Sequence, residues 1–403
     1  MLGAPAVLTA AEALTGRVIS AITLEGLRKT REEVVYNLID ARPGDVVTAD
    51  LVDDIEASLV DSDLFAEVTV TGRPVGEDTA EIVVDIDEKW TLVPIPFFST
   101  DGSGFNGGLI LIESNLFGRN KQLVSAAFGG TGGARGFFAY ADPAVFESRW
   151  TTSLSAATGR SEEDRELPDG TAVRTYETES RAARAGLGYR FTRSLEASAG
   201  IRVRDERITS QSIGAAAGDA TEIDDPGTFL EPDVSVSYDG TRAVDVLRVG
   251  PRLSLDGRTV TGGGWEVQAT AGWSAAVFGT HRLRLLASGG FGEMPEIAET
   301  VISGRDGYRT LPYQAVSADS WGSGTVIYDL PVLSDDWGAL VLSHYWEAGA
   351  YDTAIIDPQP FFGPGGGFRV YIRQVAIPAL GLDVAYNLRD GGFVFSFSLG
   401  AQM

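Results

Sequence analysis

The stretch Leu247-Arg248-Val249-Gly250-Pro251-Arg252-Leu253-Ser254-Leu255-Asp256 decides the fold class of this chain. Apolar residues recur at every second position, and the positions between them carry Arg248, Arg252, Ser254 and Asp256. Successive side chains of a β-strand point to opposite faces, so this pattern predicts a strand with one apolar and one polar face. The stretch from Trp265 to Trp273 repeats the pattern, with a tryptophan at either end of its apolar face.

From Leu92 onward the same period of two replaces any helical period. Further alternating stretches run over 195–204, 380–389 and 393–403. The strands of a soluble β-sandwich also alternate, but they seldom carry Trp or Phe at both ends of the apolar side. In membrane barrels those ends lie at the two interfaces, where aromatic girdles form. The pattern therefore favours an all-β transmembrane antiparallel barrel over residues 91–403.

The connections between the predicted strands differ in length by parity. Every second connection is short, at residues 117–120, 143–147, 191–193, 239–242, 278–280 and 377–379. Several of the intervening connections are long, at about 158–178, 207–230, 290–320 and 351–366. Short periplasmic turns opposite long extracellular loops are typical of outer-membrane barrels. We count about 16 strands, an even number that is usual for such barrels.

Composition excludes some classes of protein. The chain has 403 residues, no cysteine and 49 glycines, and its formal net charge is −24. A strongly negative chain is repelled by phosphates, so nucleic acid is not an expected partner. The absence of cysteine excludes disulfides and Cys-ligated metals.

Residues 17–90 predict a small α/β domain before the barrel. A strand at 18–24 precedes a helix that Thr30 caps, with Glu33 at the capping-box position. A second helix begins near Thr48 or Ala49, with Leu51, Ile55 and Leu59 on one face, and strands follow at 65–71 and 80–87. We interpret residues 1–16 as the end of a signal peptide or as a disordered terminus.

The order strand, helix, helix, strand, strand resembles a POTRA domain, and the whole chain resembles the BamA/TamA superfamily of outer-membrane barrels. Glu113–Gly118, with Asn115, Phe117 and Gly118, is similar to the family's turn after the second strand. Asp142–Phe146, with Asp142 and Pro143, resembles its turn after the fourth strand. Tyr345–Gly349 resembles its motif on the thirteenth strand.

The resemblance implies that the loop at 290–320 folds into the lumen and that an arginine at its tip meets an acidic residue of the thirteenth strand. Alignment on the proline of the loop selects Arg309, which we prefer. Alignment on the aromatic residue selects Arg305, followed by Gly307 and Tyr308. The expected partner is Glu347, which shares the lumen-facing parity of Tyr345 and Gly349. Alternatively, the two charges are unrelated and solvated.

In the family, the seam between the first and last strands is weakly paired and acts as a gate. Pro94 and Pro96, next to Phe97, remove hydrogen-bond donors from the first strand. The last strand is expected to turn its phenylalanines toward lipid, namely Phe393, Phe395 and Phe397. Alternatively, the prolines mark only the hinge between domain and barrel.

The sequence shows no catalytic motif, and we predict no enzyme activity, cofactor or metal site. His281 and His344 are interpreted as ordinary strand residues. The function implied by the resemblance is assembly or translocation of polypeptides in the bacterial outer membrane, with the N-terminal domain in the periplasm. A secretion pore of the two-partner type and a non-transporting structural barrel are the alternatives. The expected partners are membrane lipids or lipopolysaccharide, unfolded outer-membrane or secreted polypeptides, and periplasmic accessory proteins.

Overall fold

A computed structural model describes residues 14–39, 41–100, 105–130, 133–166, 172–214, 222–295, 298–302, 308–311, 316–353, 356–375, 380–389 and 391–399. The chain divides into two compact units. The first comprises Met1–Val93, Glu113–Gln122 and Arg373–Ala376, and the second comprises the remaining residues. No helix in the described part of the chain is long and apolar enough to cross a bilayer.

The first unit contains the predicted α/β domain. Its elements are β1 (Val18–Glu25), α1 (Glu32–Leu38), α2 (Leu51–Val60), β2 (Phe65–Pro74) and β3 (Thr79–Glu88). The sheet order is β1-β3-β2, with β3 parallel to β1 and antiparallel to β2. Both helices bury one apolar face, and the core includes Val35, Ile55 and Leu59.

The predicted capping box at Thr30 is wrong. The helix α1 begins at Glu32, and its N-cap residue is Arg31, which makes no capping hydrogen bond through its side chain. The Thr30 hydroxyl instead accepts a hydrogen bond from Asn115 Nδ2 at 2.8 Å. Thr30 is buried, so its side chain is used for a contact distant in sequence and not for the helix end.

The chain beyond the α/β domain forms a closed antiparallel barrel, most of which belongs to the second unit. Its sixteen long strands are β4 (Leu92–Thr100), β5 (Phe105–Leu116), β6 (Lys121–Gly130), β7 (Gly133–Asp142), β8 (Trp150–Glu166), β9 (Ala172–Arg190), β10 (Leu195–Ile213), β11 (Gly227–Asp239), β13 (Leu247–Thr259), β14 (Trp265–Val277), β15 (His281–Glu293), β18 (Ser320–Asp335), β19 (Gly338–Thr353), β20 (Ile356–Ile372), β21 (Leu380–Asn387) and β22 (Gly392–Leu399). Three short strands are β12 (Arg242–Val244), β16 (Thr300–Ile302) and β17 (Val316–Ala318). The last strand, β22, neighbours β4 and so closes the barrel.

The alternation read from the sequence is present in the barrel wall. Along β19, for example, Tyr345 and Glu347 are buried and point into the lumen, whereas Trp346 between them is exposed. The outer surface carries a belt of exposed apolar side chains, including Leu187, Val234 and Leu255. A closed sheet of this kind satisfies its own backbone groups, which lipid cannot do.

Two predicted long connections are wrong. Residues 159–166 pair with 172–180 and so extend β8 and β9, which leaves only 167–171 between the strands. Residues 356–366 lie in β20 and do not form a loop. The connection predicted at 207–230 is shorter, because β10 continues to Ile213 and β11 begins at Gly227. We call the end with the connections 117–120, 143–149, 191–194, 278–280 and 336–337 the turn end, and the opposite end the loop end.

Candidate functional site

Residues 308–311, which lie between β15 and β18 in the sequence, contact the acidic residue predicted on the thirteenth strand. Glu347 Oε2 accepts hydrogen bonds from the backbone N–H of Thr310 at 2.6 Å and from its hydroxyl at 2.7 Å. The other oxygen, Oε1, accepts a longer bond from Thr325 at 3.4 Å. Thr310 and Glu347 are both buried, so the carboxylate holds this segment against the inner wall.

Arg309 lies beside this contact, but its role differs from the predicted one. Its guanidinium carbon is 5.2 Å from the centre of the Tyr345 ring, a cation–π geometry. Among the described residues no ion pair within 4 Å joins Arg309 to Glu347, so the predicted direct pair is corrected to a Thr310–Glu347 hydrogen bond. The Thr310 N–H and hydroxyl both bond to Oε2 of Glu347, the oxygen that a direct pair with the arginine would need. Arg305 and Gly307 lie outside the described residues.

Apolar packing holds the same segment on its other side. Leu311 belongs to a buried cluster with Trp321 and Phe361, and the Tyr308 ring meets Phe361 edge-on at 6.2 Å. Gly349 is the other position of the predicted motif. A Cβ at Gly349 would approach the Phe361 ring to 2.3 Å, so the absence of a side chain there makes room for this ring.

Near the turn end, buried charged side chains and one serine form a chain of hydrogen bonds across five strands, which we call the ladder. The sequence did not predict this ladder. Asp329 on β18 accepts hydrogen bonds from Arg282 and Arg284 on β15, each at 2.8 Å, and from Ser343 on β19. Arg369 on β20 continues the ladder to Ser343 at 2.6 Å and to Asp383 on β21 at 2.9 Å. The alternation of the strands indicates that these side chains face the lumen. It does not indicate which of them form hydrogen bonds with each other.

The predicted seam residues lie on the first and last barrel strands. Pro94 and Pro96 are exposed on β4, on either side of the buried Ile95. Phe393 and Phe395 are exposed on β22. Phe97 and Phe397 lie in the same two strands, but their side chains are outside the described part of the structure.

The family turn after the second strand forms a buried polar network within the first unit. Glu113 accepts a hydrogen bond from Lys29 Nζ at 2.7 Å and another from the backbone N–H of Asn115. The Asn115 side chain also accepts from the Asn120 N–H, which closes the turn. A Cβ at Gly118 would lie 1.9 Å from the carbonyl oxygen of Lys29, so only glycine fits there.

Glu88 orders the neighbouring segment of the first unit. Its carboxylate accepts hydrogen bonds from the backbone N–H groups of Arg28, Lys29 and Thr30 at 3.2, 2.9 and 2.8 Å. Burial by itself raises the pKa of Glu88, but these hydrogen bonds to the charged form outweigh it and hold the pKa below its usual value. Glu88 is therefore a carboxylate at neutral pH.

The family turn after the fourth strand is closed by Asp142, which is buried. Its Oδ1 accepts a hydrogen bond from the Ala144 N–H at 3.1 Å, across Pro143. This is the local arrangement that makes an Asp-Pro sequence favourable in a turn. Phe117, in the turn after the second strand, has a positive φ of 58° and is exposed.

Comparisons with known proteins bear on both units. Residues 18–89 match the family model described as POTRA, surface antigen variable number repeat. CdiB from Escherichia coli aligns over 96% of this chain and 76% of its own, with TM-score 0.64 and 12% identity. CdiB from Acinetobacter baumannii aligns over 95% and 73%, with TM-score 0.62 and 13% identity. BamA from Haemophilus ducreyi lacking POTRA domains 1–3 aligns over 94% and 84%, with TM-score 0.55 and 11% identity.

At such identities these structures establish the fold. Residues 18–89 thus form a POTRA domain, and the strands that follow form a barrel of the fold seen in BamA and CdiB, which confirms the predicted fold class and resemblance. Among curated proteins no relative matches the chain.

Proposed function

We propose that this protein inserts or translocates polypeptides at the bacterial outer membrane, with its POTRA domain in the periplasm and the barrel seam as the gate. The observation that carries the proposal is that one chain combines a POTRA sheet with an edge strand and a closed barrel whose first strand, at the seam, lacks the backbone donors of Pro94 and Pro96. The captured substrates are unfolded outer-membrane or secreted polypeptides.

The POTRA sheet offers a strand edge for capture. β2 pairs with β3 on one side and is the last strand of the described sheet on the other. An extended polypeptide can add to such an edge through backbone hydrogen bonds, which bind with little dependence on sequence. Thr69 and Thr71 on β2 are exposed, so the strand presents polar side chains together with its edge.

The first barrel strand is a poor hydrogen-bonding partner at the seam. Pro94 and Pro96 have no backbone N–H group and so remove two donors from β4. In lipid, each unpaired backbone group costs several kcal/mol. The seam therefore opens at low cost only when an incoming strand pairs with the freed edge.

A secretion pore is the second candidate, and one feature of the lumen favours it. Arg184 on β9 and Asp233 on β11 form an ion pair, and their side chains are 21% and 23% exposed. By contrast, the side chain of Asp329 in the buried ladder is fully covered. The lumen wall near β9 and β11 is thus polar and open to solvent. A polar wall of this kind suits an unfolded chain in transit.

Site-specific photocrosslinking in cells tests the proposal. A photoreactive residue is placed at Thr69 on the β2 edge and at Phe395 on the seam strand, and a matched control is placed at Leu255 on β13, which is exposed on the outer belt. We expect newly made polypeptides to crosslink at the first two positions and not at Leu255. Equal labelling at all three positions, or none at Thr69 and Phe395, would overturn the proposal.

Depletion of the protein then separates the candidates. Loss of many outer-membrane barrels supports an assembly role, and loss of one secreted protein supports a secretion pore. No loss of either kind supports a structural barrel and contradicts both transport functions.

A further inference from the structure

Two turns at the turn end carry a phenylalanine that is almost completely exposed. Phe146 is 98% exposed and Phe278 is 86% exposed. Both have a left-handed backbone conformation, with φ of 51° and 47°. A bulky residue other than glycine rarely adopts this conformation, because its Cβ crowds the backbone. An exposed apolar ring at a strained backbone position does not stabilise the folded chain. We therefore expect the ring to contact a surface outside the chain.

The position of these residues identifies that surface. Trp150 begins β8, four residues after Phe146, and its ring packs edge-on against Tyr189 at 5.1 Å. Tyr189 in turn packs against Phe191 at 5.1 Å. Aromatic clusters on the outside of a barrel wall mark the membrane interface. Four residues extend at most about 14 Å, so Phe146 stays within reach of the lipid headgroups beside this cluster.

Phe278 is placed in the same way on another side of the barrel. It follows Val277, the final residue of β14, whose outward positions include the exposed Trp265 and Trp273. The two tryptophans are eight residues apart, which at a rise of about 3.4 Å and a tilt of about 40° spans roughly 20 Å of the membrane normal. Trp273 therefore lies near the edge of the apolar belt that faces the turn end. Phe278 continues the apolar surface beyond Trp273, toward the turn end.

We propose that Phe146 and Phe278 insert into the boundary between headgroups and acyl chains of the lipid leaflet at the turn end. The exposed apolar belt is the surface that a membrane-spanning barrel turns toward lipid, and both rings continue it. One turn lies between β7 and β8 and the other between β14 and β15, so two separated anchors fix the height of the barrel and resist its tilting. The inference requires only a membrane-spanning barrel and is independent of the proposed transport function.

Spin-label depth measurements test this proposal, and the cysteine-free chain makes them clean. Single-cysteine variants Phe146→Cys and Phe278→Cys of the full chain are labelled and reconstituted in phospholipid vesicles. Leu255→Cys on the belt is the lipid reference, and Thr69→Cys on the POTRA domain is the aqueous reference. Asp336→Cys is the matched control, because it is an exposed residue in a turn at the same end but carries an acidic side chain.

The readout is the ratio of collision with oxygen, which concentrates in lipid, to collision with a water-soluble nickel chelate. We expect labels at 146 and 278 to give ratios several-fold above those at 336 and 69 and to approach the ratio at 255. Ratios equal to those at 336 would overturn the proposal, since the rings would then lie in water. Shielding from both reagents would also overturn it, since the rings would then be covered by protein. Because neither side chain packs in the core, both variants are expected to fold, which retained β-sheet circular dichroism checks.

Discussion

Removal of the Glu347 carboxylate should release the lumen segment that contains Thr310. In Glu347→Ala, the backbone N–H and the hydroxyl of Thr310 lose their acceptor while Thr310 remains buried. Each buried, unsatisfied donor costs about 1–3 kcal/mol, so the docked state is destabilised by about 2–6 kcal/mol. Every 1.4 kcal/mol changes a population about tenfold, so the population of the released state should rise by about 30-fold or more.

Chymotrypsin cleavage after Tyr308 measures this release in protein held in detergent or vesicles. Tyr308 packs against Phe361 in the docked state, and none of the variants removes the cleavage site. Thr325→Val is the matched control, because it deletes only the 3.4 Å bond to the same carboxylate and should change the cleavage rate little. Arg309→Ala should have a smaller effect than Glu347→Ala, since a cation–π contact contributes about 0.5–2 kcal/mol.

Two results would refute this reasoning. Cleavage of Glu347→Ala at the rate of the unmodified protein would show that the carboxylate does not hold the segment. Faster cleavage in Arg309→Ala than in Glu347→Ala would show that the arginine, as first expected from the sequence, is the main contact of the loop.

Three further substitutions test other parts of the structure. Hydrogen bonds lower the pKa of Glu88, so its contribution to stability is present at neutral pH and is lost as the pH falls through the folded-state pKa. Glu88→Gln should therefore reduce the free energy of unfolding of the POTRA domain by about 1–3 kcal/mol at pH 7. In urea titrations the variant should also show a weaker dependence of stability on acid pH. Gly365→Ala places a Cβ 2.2 Å from the Tyr345 ring and should lower barrel stability by about 1–3 kcal/mol in thermal unfolding. The control Gly366→Ala, whose Cβ would have its nearest neighbour at 3.2 Å, should have a smaller effect. Equal effects of the two substitutions would contradict the packing described. Asn115→Ala deletes bonds to Thr30 and Asn120 and should speed hydrogen exchange at the Asn120 amide, and unchanged exchange would argue against the network.

Much of the fold follows from local pattern. A period of two forces every other side chain to one face, so the lumen-facing position of Glu347 could be predicted from Tyr345 and Gly349 alone. The extension of β8 and β9 beyond the apolar belt could not be predicted. Residues 159–166 are mostly charged, and a strand outside the membrane has no lipid to impose an apolar face, so its sequence looks like a solvated loop.

The partners of polar residues were harder to predict than their faces. The sequence places Arg284 and Asp329 on inward positions, but they come together only because β15 and β18 are neighbours in this register. Thr30 has the sequence spacing of a helix cap, but its hydroxyl accepts a hydrogen bond from Asn115 and does not cap the helix. Arg309 was expected to meet Glu347, but an alignment of short motifs does not show which of two adjacent side chains reaches the carboxylate.

The central claim is that the chain beyond Leu92 is a closed barrel with a lipid-facing apolar belt. Size-exclusion chromatography with light scattering tests it most directly, when detergent is removed from the purified protein with and without lipid vesicles present. We predict that the protein enters the vesicles when lipid is present and aggregates when it is not. A monodisperse monomer in plain buffer with its β-sheet circular dichroism intact would contradict the account.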